Sequence, residues 1–451
     1  KNMGSILIKD AKIINDGISY KGSLLIEGEK ISKIFRDNIP DSVLKSATVI
    51  DADGKWVLPG VIDTHVHFRE PGLTEKGDFA SESLAAVAGG VTTVFDMPNT
   101  NPQTTTIEAV EQKAKIASEK CLCNYGFFIG ATNENVDVIK NLDPKSVAGV
   151  KIFMGISTGG MLVNSKQSLE NIFASSKVPV VTHNEDEEMI KANTEEWKKK
   201  FPEGQIPISE HMFIRSSDSC YKCTSYVIDL AKKYGTQLHV LHVSTKKEIA
   251  LFEHNVDIEN KKITAEVCPN YLWFDDRDYE RLGAKIKCNP AIKKEKSREN
   301  LLKGLADGYI DTVASDHSPH LLSQKEGDAL TAASGIPSIQ YTLPMMLQLA
   351  KKGNFSREQV VEAMCHNPAK IFKIEKRGYI RKGYYADLVI VSPDDPYTIS
   401  ESDLLYKCGW SPMVGEQLQY KVTQTFVNGN LVYDEGSING EKKGQRVTFD
   451  R

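Results

Sequence analysis

The sequence predicts an α/β fold: a (β/α)8 TIM barrel with a small β-sandwich domain formed by the N- and C-terminal segments. Three observations predict it. Eight short apolar runs alternate with helical patterns through the middle of the chain, the sign of a parallel barrel. β-rich stretches bracket that middle at both ends, and chain termini commonly meet in space. Residues able to do chemistry gather where the apolar runs stop.

In chain order, residues 5–14, 23–26, 30–34 and 47–51 are short apolar runs broken by Gly and Asp, as strands joined by turns should be. The first few residues, through Met3, are expected to be an added leader outside the fold. The eight central runs are 57–63, 91–97, 125–130, 147–154, 178–183, 237–243, 263–268 and 310–316. Most are almost continuously hydrophobic, as strands buried on both faces must be. Between them, 79–88, 107–120, 168–175, 185–200, 221–234, 246–254 and 298–306 carry helical periodicity. A doubly wound open sheet is the alternative, but no Gly-rich fingerprint follows the first run. Residues 386–391 and 425–433 return to strand character, the latter turning at Asn428-Gly429. The composite β domain is therefore expected over 1–56 and 380–451, and the barrel over 57–379.

Composition narrows the function. The chain has 451 residues, 40% hydrophobic and 26% charged, with net charge −4. This excludes a disordered chain and a membrane-spanning one. Without a basic block, nucleic acid is not an expected partner. No signal-peptide run is present, so a reducing, cytoplasmic setting is expected and the eight cysteines should be packed thiols. Cys220 and Cys223 form one CxxC and Cys121 and Cys123 one CxC, too few knuckles for a zinc ribbon.

The first run passes into Asp63-Thr64-His65-Val66-His67. The fourth contains Lys151, the fifth ends at His183, the sixth at His242 and the eighth at Asp316. In a barrel these ends share the face on which active sites are built. His65 and His67 are one residue apart, so an extended strand turns both imidazoles to one side. Imidazoles with a carboxylate suit Zn²⁺ or a related divalent ion. Lys151 lies within Gly149-Val150-Lys151-Ile152-Phe153-Met154, where an ammonium ion is costly. Burial lowers a lysine pKa, and a neutral amine can take up carbon dioxide as a carbamate able to bridge two metals. His239 and His242 are three apart and should face opposite ways, with His242 toward the metal centre.

These residues carry a family resemblance. The stretch Pro59-Gly60-Val61-Ile62-Asp63-Thr64-His65-Val66-His67-Phe68-Arg69-Glu70-Pro71-Gly72 resembles the signature of dihydroorotases in the amidohydrolase superfamily. Ala314-Ser315-Asp316-His317-Ser318-Pro319-His320 resembles the second signature, and residues 149–154 are similar to the carboxylated-lysine segment of hydantoinases and allantoinases. The resemblance covers nearly the whole chain. It implies two Zn²⁺ ions per subunit, held by His65, His67, His183, His242 and Asp316 and bridged by carboxylated Lys151. Asp316 would also shuttle the proton. Arg69, Asn99 and His320 would hold a substrate carboxylate, while Asn289, Ser334 and Gly335 would contact a pyrimidine ring. The implied reaction is reversible hydrolysis of the cyclic amide of dihydroorotate to N-carbamoyl-L-aspartate, in pyrimidine biosynthesis. The implied assembly is a homodimer. The alternatives are a hydantoinase- or allantoinase-type cyclic amidohydrolase, or an inactive family member serving as a scaffold. After the seventh run the chain reads Cys268-Pro269-Asn270-Tyr271, without the histidine many relatives place there. The polar segment 321–336 is expected to be a loop over the site.

Overall fold

A computed structural model describes residues 4–155 and 161–451. Five strands come first: β1 (Ile6–Asn15), β2 (Ile18–Glu27), β3 (Lys30–Phe35), β4 (Thr48–Asp51) and β5 (Trp56–Pro59). The barrel strands follow: β6 (Val61–Val66), β7 (Val91–Asp96), β8 (Asn124–Gly130), β9 (Gly149–Met154), β10 (Val180–Asn184), β11 (Leu238–Val240), β12 (Ile263–Val267) and β13 (Thr312–Val313). These eight pair in sequence order, all parallel. The ring closes where Val66 bridges His317 and the His67 N–H donates to the His317 carbonyl at 2.8 Å. Every residue of β6, β7 and β8 is buried, which explains why they lack the apolar–polar alternation of a half-exposed strand.

The remaining strands are β14 (Leu388–Ser392), β15 (Tyr397–Thr398), β16 (Gln417–Leu418), β17 (Lys421–Val427), β18 (Asn430–Asp434) and β19 (Ser437–Ile438). β15 and β16 form a two-stranded ribbon. The others join β1–β5 in one nine-stranded sheet, so both ends of the chain build the second domain. The β17–β18 hairpin turns on Asn428 and Gly429, both at positive φ as a two-residue turn requires.

Two details differ from the sequence reading. The first apolar run is two strands, not one. β5 pairs with β1 and β14 in the outer sheet, and the barrel begins only at Val61. Hydropathy could not separate them, because both are buried. The second detail is the tail. Val447 and Phe449 leave the outer sheet and pack with Phe95, Phe128 and Phe372. The Val447 N–H donates to the Tyr125 carbonyl near the start of β8, and Arg451 donates to the carbonyls of Val147 and Ala148 just before β9. The tail therefore closes the N-terminal end of the barrel, opposite the face where the site lies.

Helix ends follow local chemistry. Asp78 caps Phe79–Ala88 by accepting from the Ser81 N–H. Ser216 begins and Gly235, in the left-handed region, ends Ser217–Tyr234. All eight cysteines are free thiols and seven are buried. No helix among the described residues is long and apolar enough to cross a membrane.

Candidate active site

All twelve residues singled out from the sequence line one cavity of about 640 Å³ at the C-terminal ends of the barrel strands. The strands deliver them by different routes. His65 lies in β6 and Lys151 in β9, while His183 sits near the end of β10. His67, His242 and Asp316 lie beyond their strands. Arg69, His242 and Asp316 all adopt positive φ (72°, 34° and 50°). Such backbone costs a non-glycine residue on the order of 1 kcal/mol or more, and it commonly marks functional positions. It also explains His242, since β11 ends at Val240 and strand alternation does not govern the residues past it. His239 is fully buried, bonded to Thr264 and packed against Phe372.

The hydrogen bonds show which atoms the imidazoles offer. His65 Nδ1–H donates to Glu266 Oε1 at 2.9 Å, leaving a lone pair on Nε2. His67 Nδ1–H donates to Asn99 Oδ1 at 2.8 Å, with the same consequence. Both Nε2 atoms face Asp316 Oδ1, at 3.0 and 3.1 Å. Two imidazole lone pairs directed at one carboxylate oxygen require a cation among them, either a proton or a metal. Burial opposes a proton on His65, yet the Asp316 and Glu266 carboxylates outweigh it and lift the ring to about 9. Burial drives His67 down to about 3.

Donor atoms of His65, His242 and Asp316 lie within 4.8 Å of one another. His242 Nδ1 is buried and has no partner among the described residues. The rings of His183 and His242 stand 4.6 Å apart and nearly perpendicular. His183 Nε2–H donates to Glu185 Oε1 at 2.6 Å, which leaves the Nδ1 lone pair for a cation. The donor set therefore fits a divalent transition metal. Lys151 is 1% exposed, and its Nζ makes no hydrogen bond or ion pair among the described residues. Burial, against the pull of Asp316 and Glu266, lowers its pKa to about 8.

Asn99 and Asn289 each have the carbonyl oxygen engaged, by His67 and by His211 at 2.9 Å. Gly335 must be glycine: a Cβ there would meet the Ser318 carbonyl at 2.7 Å and His320 Nε2 at 2.8 Å, and φ is +151°. Segment 321–336 is tied down by Lys325, whose buried Nζ donates to the carbonyls of Lys287, Ala333 and Gly335. Cys268, Asn270 and Tyr271, from the segment that lacks a histidine, form a wall of the cavity.

Sequence reasoning missed the supporting acids. Glu266 orients His65 and also accepts from the His242 N–H at 3.0 Å. Glu185 is held by Arg215 at 2.6 Å, and despite burial this charge and His183 keep its carboxyl far below the usual range. The available signal was a glutamate inside the buried run of β12, where an unpaired carboxylate is costly.

The sequence model of the Amidohydrolase family matches residues 56–432. The chain is 35% identical over 449 residues to a dihydroorotase of Methanosarcina acetivorans, covering 97% of this chain and 94% of that one. It is 30% identical over 438 residues to an allantoinase of Bacillus velezensis, covering 96% and 94%. Among solved structures, an L-hydantoinase of Arthrobacter aurescens superposes with a TM-score of 0.92 at 29% identity, covering 99% of this chain and all of that one. With the family match spanning most of the sequence and relatives aligned along nearly its whole length, the chain belongs to the amidohydrolase family.

Proposed function

We propose that the protein is a dihydroorotase, hydrolysing the cyclic amide of dihydroorotate to N-carbamoyl-L-aspartate and closing it in reverse, as in pyrimidine biosynthesis. The observation that carries this reading is Arg69. Its guanidinium lines the same cavity as the imidazole cluster and meets no carboxylate at ion-pair distance among the described residues. Its Nε–H donates to the Pro319 carbonyl at 3.0 Å, so the terminal nitrogens remain for a ligand. A guanidinium suits a planar carboxylate, and uncharged cyclic amides give it nothing to bind.

His65, His67 and Asp316 would hold one Zn²⁺, His183 and His242 a second, and Lys151, as a carbamate, would bridge them. Metals bound there would make hydroxide available near neutral pH and polarise the amide carbonyl. The chain's own part centres on Asp316. Its Oδ1 is engaged by His65 and His67, and Ser318 Oγ donates to it at 3.3 Å. Its Oδ2 has no partner among the described residues and is the atom that takes the proton of the attacking water. The same oxygen returns it to the departing amide nitrogen. Asn99, with its carbonyl turned to His67, keeps its NH₂ for the substrate carboxylate. Asn289, Ser334 and Gly335 line the part of the cavity assigned to the ring. A cytoplasmic homodimer is the setting that accompanies this reading.

A hydantoinase or allantoinase activity is the second reading, favoured by the superposition on the L-hydantoinase. Hydrolysis of dihydroorotate, hydantoin and allantoin by zinc-loaded, bicarbonate-treated protein separates the two. Preferred turnover of dihydroorotate is expected, and it should be lost on chelation and regained with zinc. Turnover of hydantoin or allantoin alone would transfer the assignment to the second reading.

A further inference from the structure

A second cation stands at the rim of the cavity beside Arg69. The Leu73 N–H donates to the Arg69 carbonyl and the Lys76 N–H to the Leu73 carbonyl, each at 3.0 Å. This turn brings Arg69 and Lys76 to the same wall, where both line the cavity. Lys76, like Arg69, has no carboxylate at ion-pair distance among the described residues. Half-buried, it is kept below the ordinary lysine pKa by desolvation and then by the neighbouring guanidinium. Two cations held together without a counter-charge are unfavourable until an anion arrives.

His320 stands between them and has both nitrogens occupied. Lys76 Nζ donates to Nδ1 at 3.1 Å, and Nε2–H donates to the Ser334 carbonyl at 2.9 Å. This fixes a neutral tautomer, and burial beside Arg69 and Lys76 opposes a second proton on the ring. Arg69 Nη2 lies 3.3 Å from Nε2, but that nitrogen carries the hydrogen and cannot accept. The imidazole expected to hold the substrate carboxylate is thus also the anchor of Lys76. Lys76 spends one of its three N–H groups on His320 and retains two.

We propose that Lys76 is a substrate-binding residue, the second cation on the carboxylate beside Arg69, and that His320 acts as the post that fixes its position. The proposal rests on the dihydroorotase reading above. It is tested with Lys76→Met and Lys76→Arg, each assayed in both directions with dihydroorotate and N-carbamoyl-L-aspartate. Lys76→Met should raise KM about tenfold or more, the scale of one charge-assisted hydrogen bond, while kcat stays within about threefold. Lys76→Arg should recover most of the lost affinity. An unchanged KM in Lys76→Met, a fall in kcat alone, or no recovery with arginine would overturn the role of Lys76. Absence of dihydroorotate turnover in the wild-type protein would instead remove the reading beneath it.

Discussion

At Asp316 the two carboxylate oxygens have separate surroundings, and that asymmetry sets the first prediction. Burial alone would raise this carboxyl, but the positive charge of His65 and the imidazoles at its Oδ1 hold it well below the usual range. Asp316→Asn keeps the shape and removes the proton acceptor, so kcat should fall by on the order of 10³-fold or more. Near wild-type turnover in a metal-replete variant, with metal content measured on the same sample, would contradict the role. Arg69→Met should act on KM for dihydroorotate, by on the order of tenfold to a hundredfold; steady-state kinetics showing kcat alone reduced would contradict carboxylate recognition. The imidazoles, Lys151 and Asp316 were legible because polar residues interrupting apolar runs are costly and need a reason. Lys76 was not, since a lysine in a polar loop carries no such signal. Nor could spacing reveal that Arg69, His242 and Asp316 take left-handed backbone, which sequence ordinarily announces with glycine.

Between elements, two of the junctions between the outer sheet and the barrel carry predictions. Gly60 separates β5 from β6, and a Cβ there would overlap Thr92 Oγ1 and Cγ2. Gly60→Ala should cost about 2 kcal/mol by overpacking. Thr92→Ala removes those two atoms and should restore part of that loss, measured as a double-mutant cycle in urea. The second junction is His366. Its Nδ1–H donates to the Gly378 carbonyl at 2.7 Å, and its Nε2 accepts from the Asp16 N–H at 2.9 Å. Burial lowers the ring from 6.5 to about 4. The unfolded chain therefore binds the extra proton first, and acid favours it. The stability contributed is full above about pH 6.5 and lost as pH falls toward 4, about 3 kcal/mol at most. Unfolding midpoints of His366→Gln should fall less than those of wild type across that window; parallel curves would contradict it. The eight barrel strands were legible from hydrophobic runs and most helices between them from their period, though 246–254 is helical only over Lys246–Ile249 and the helix Thr342–Lys351 was not anticipated. The junction at Gly60 was not, because two consecutive buried strands read as one run.

Across the whole molecule, the barrel's lower end is sealed by residues far away in sequence. Phe449 packs 5.8 Å from the Phe95 ring, and Arg451 donates to the carbonyls of Val147, Ala148 and Phe372. Phe449→Ala should cost about 3–5 kcal/mol, read as a lowered midpoint of chemical unfolding. A change of only a few tenths would show that the tail merely lies against a closed barrel. Apolar periodicity marks strands and helices but not which distant segment fills the end of a barrel, so this contact was invisible in the sequence. It has a consequence for synthesis. All eight barrel strands leave the ribosome before Val447 and Phe449 exist, and until then Phe95 and Phe128 have Phe372 against them but lack the rest of their cover. A chain released early thus displays partly uncovered aromatic rings, the kind of surface on which chaperones and proteases act. The barrel's core waits on residues translated long after its last strand.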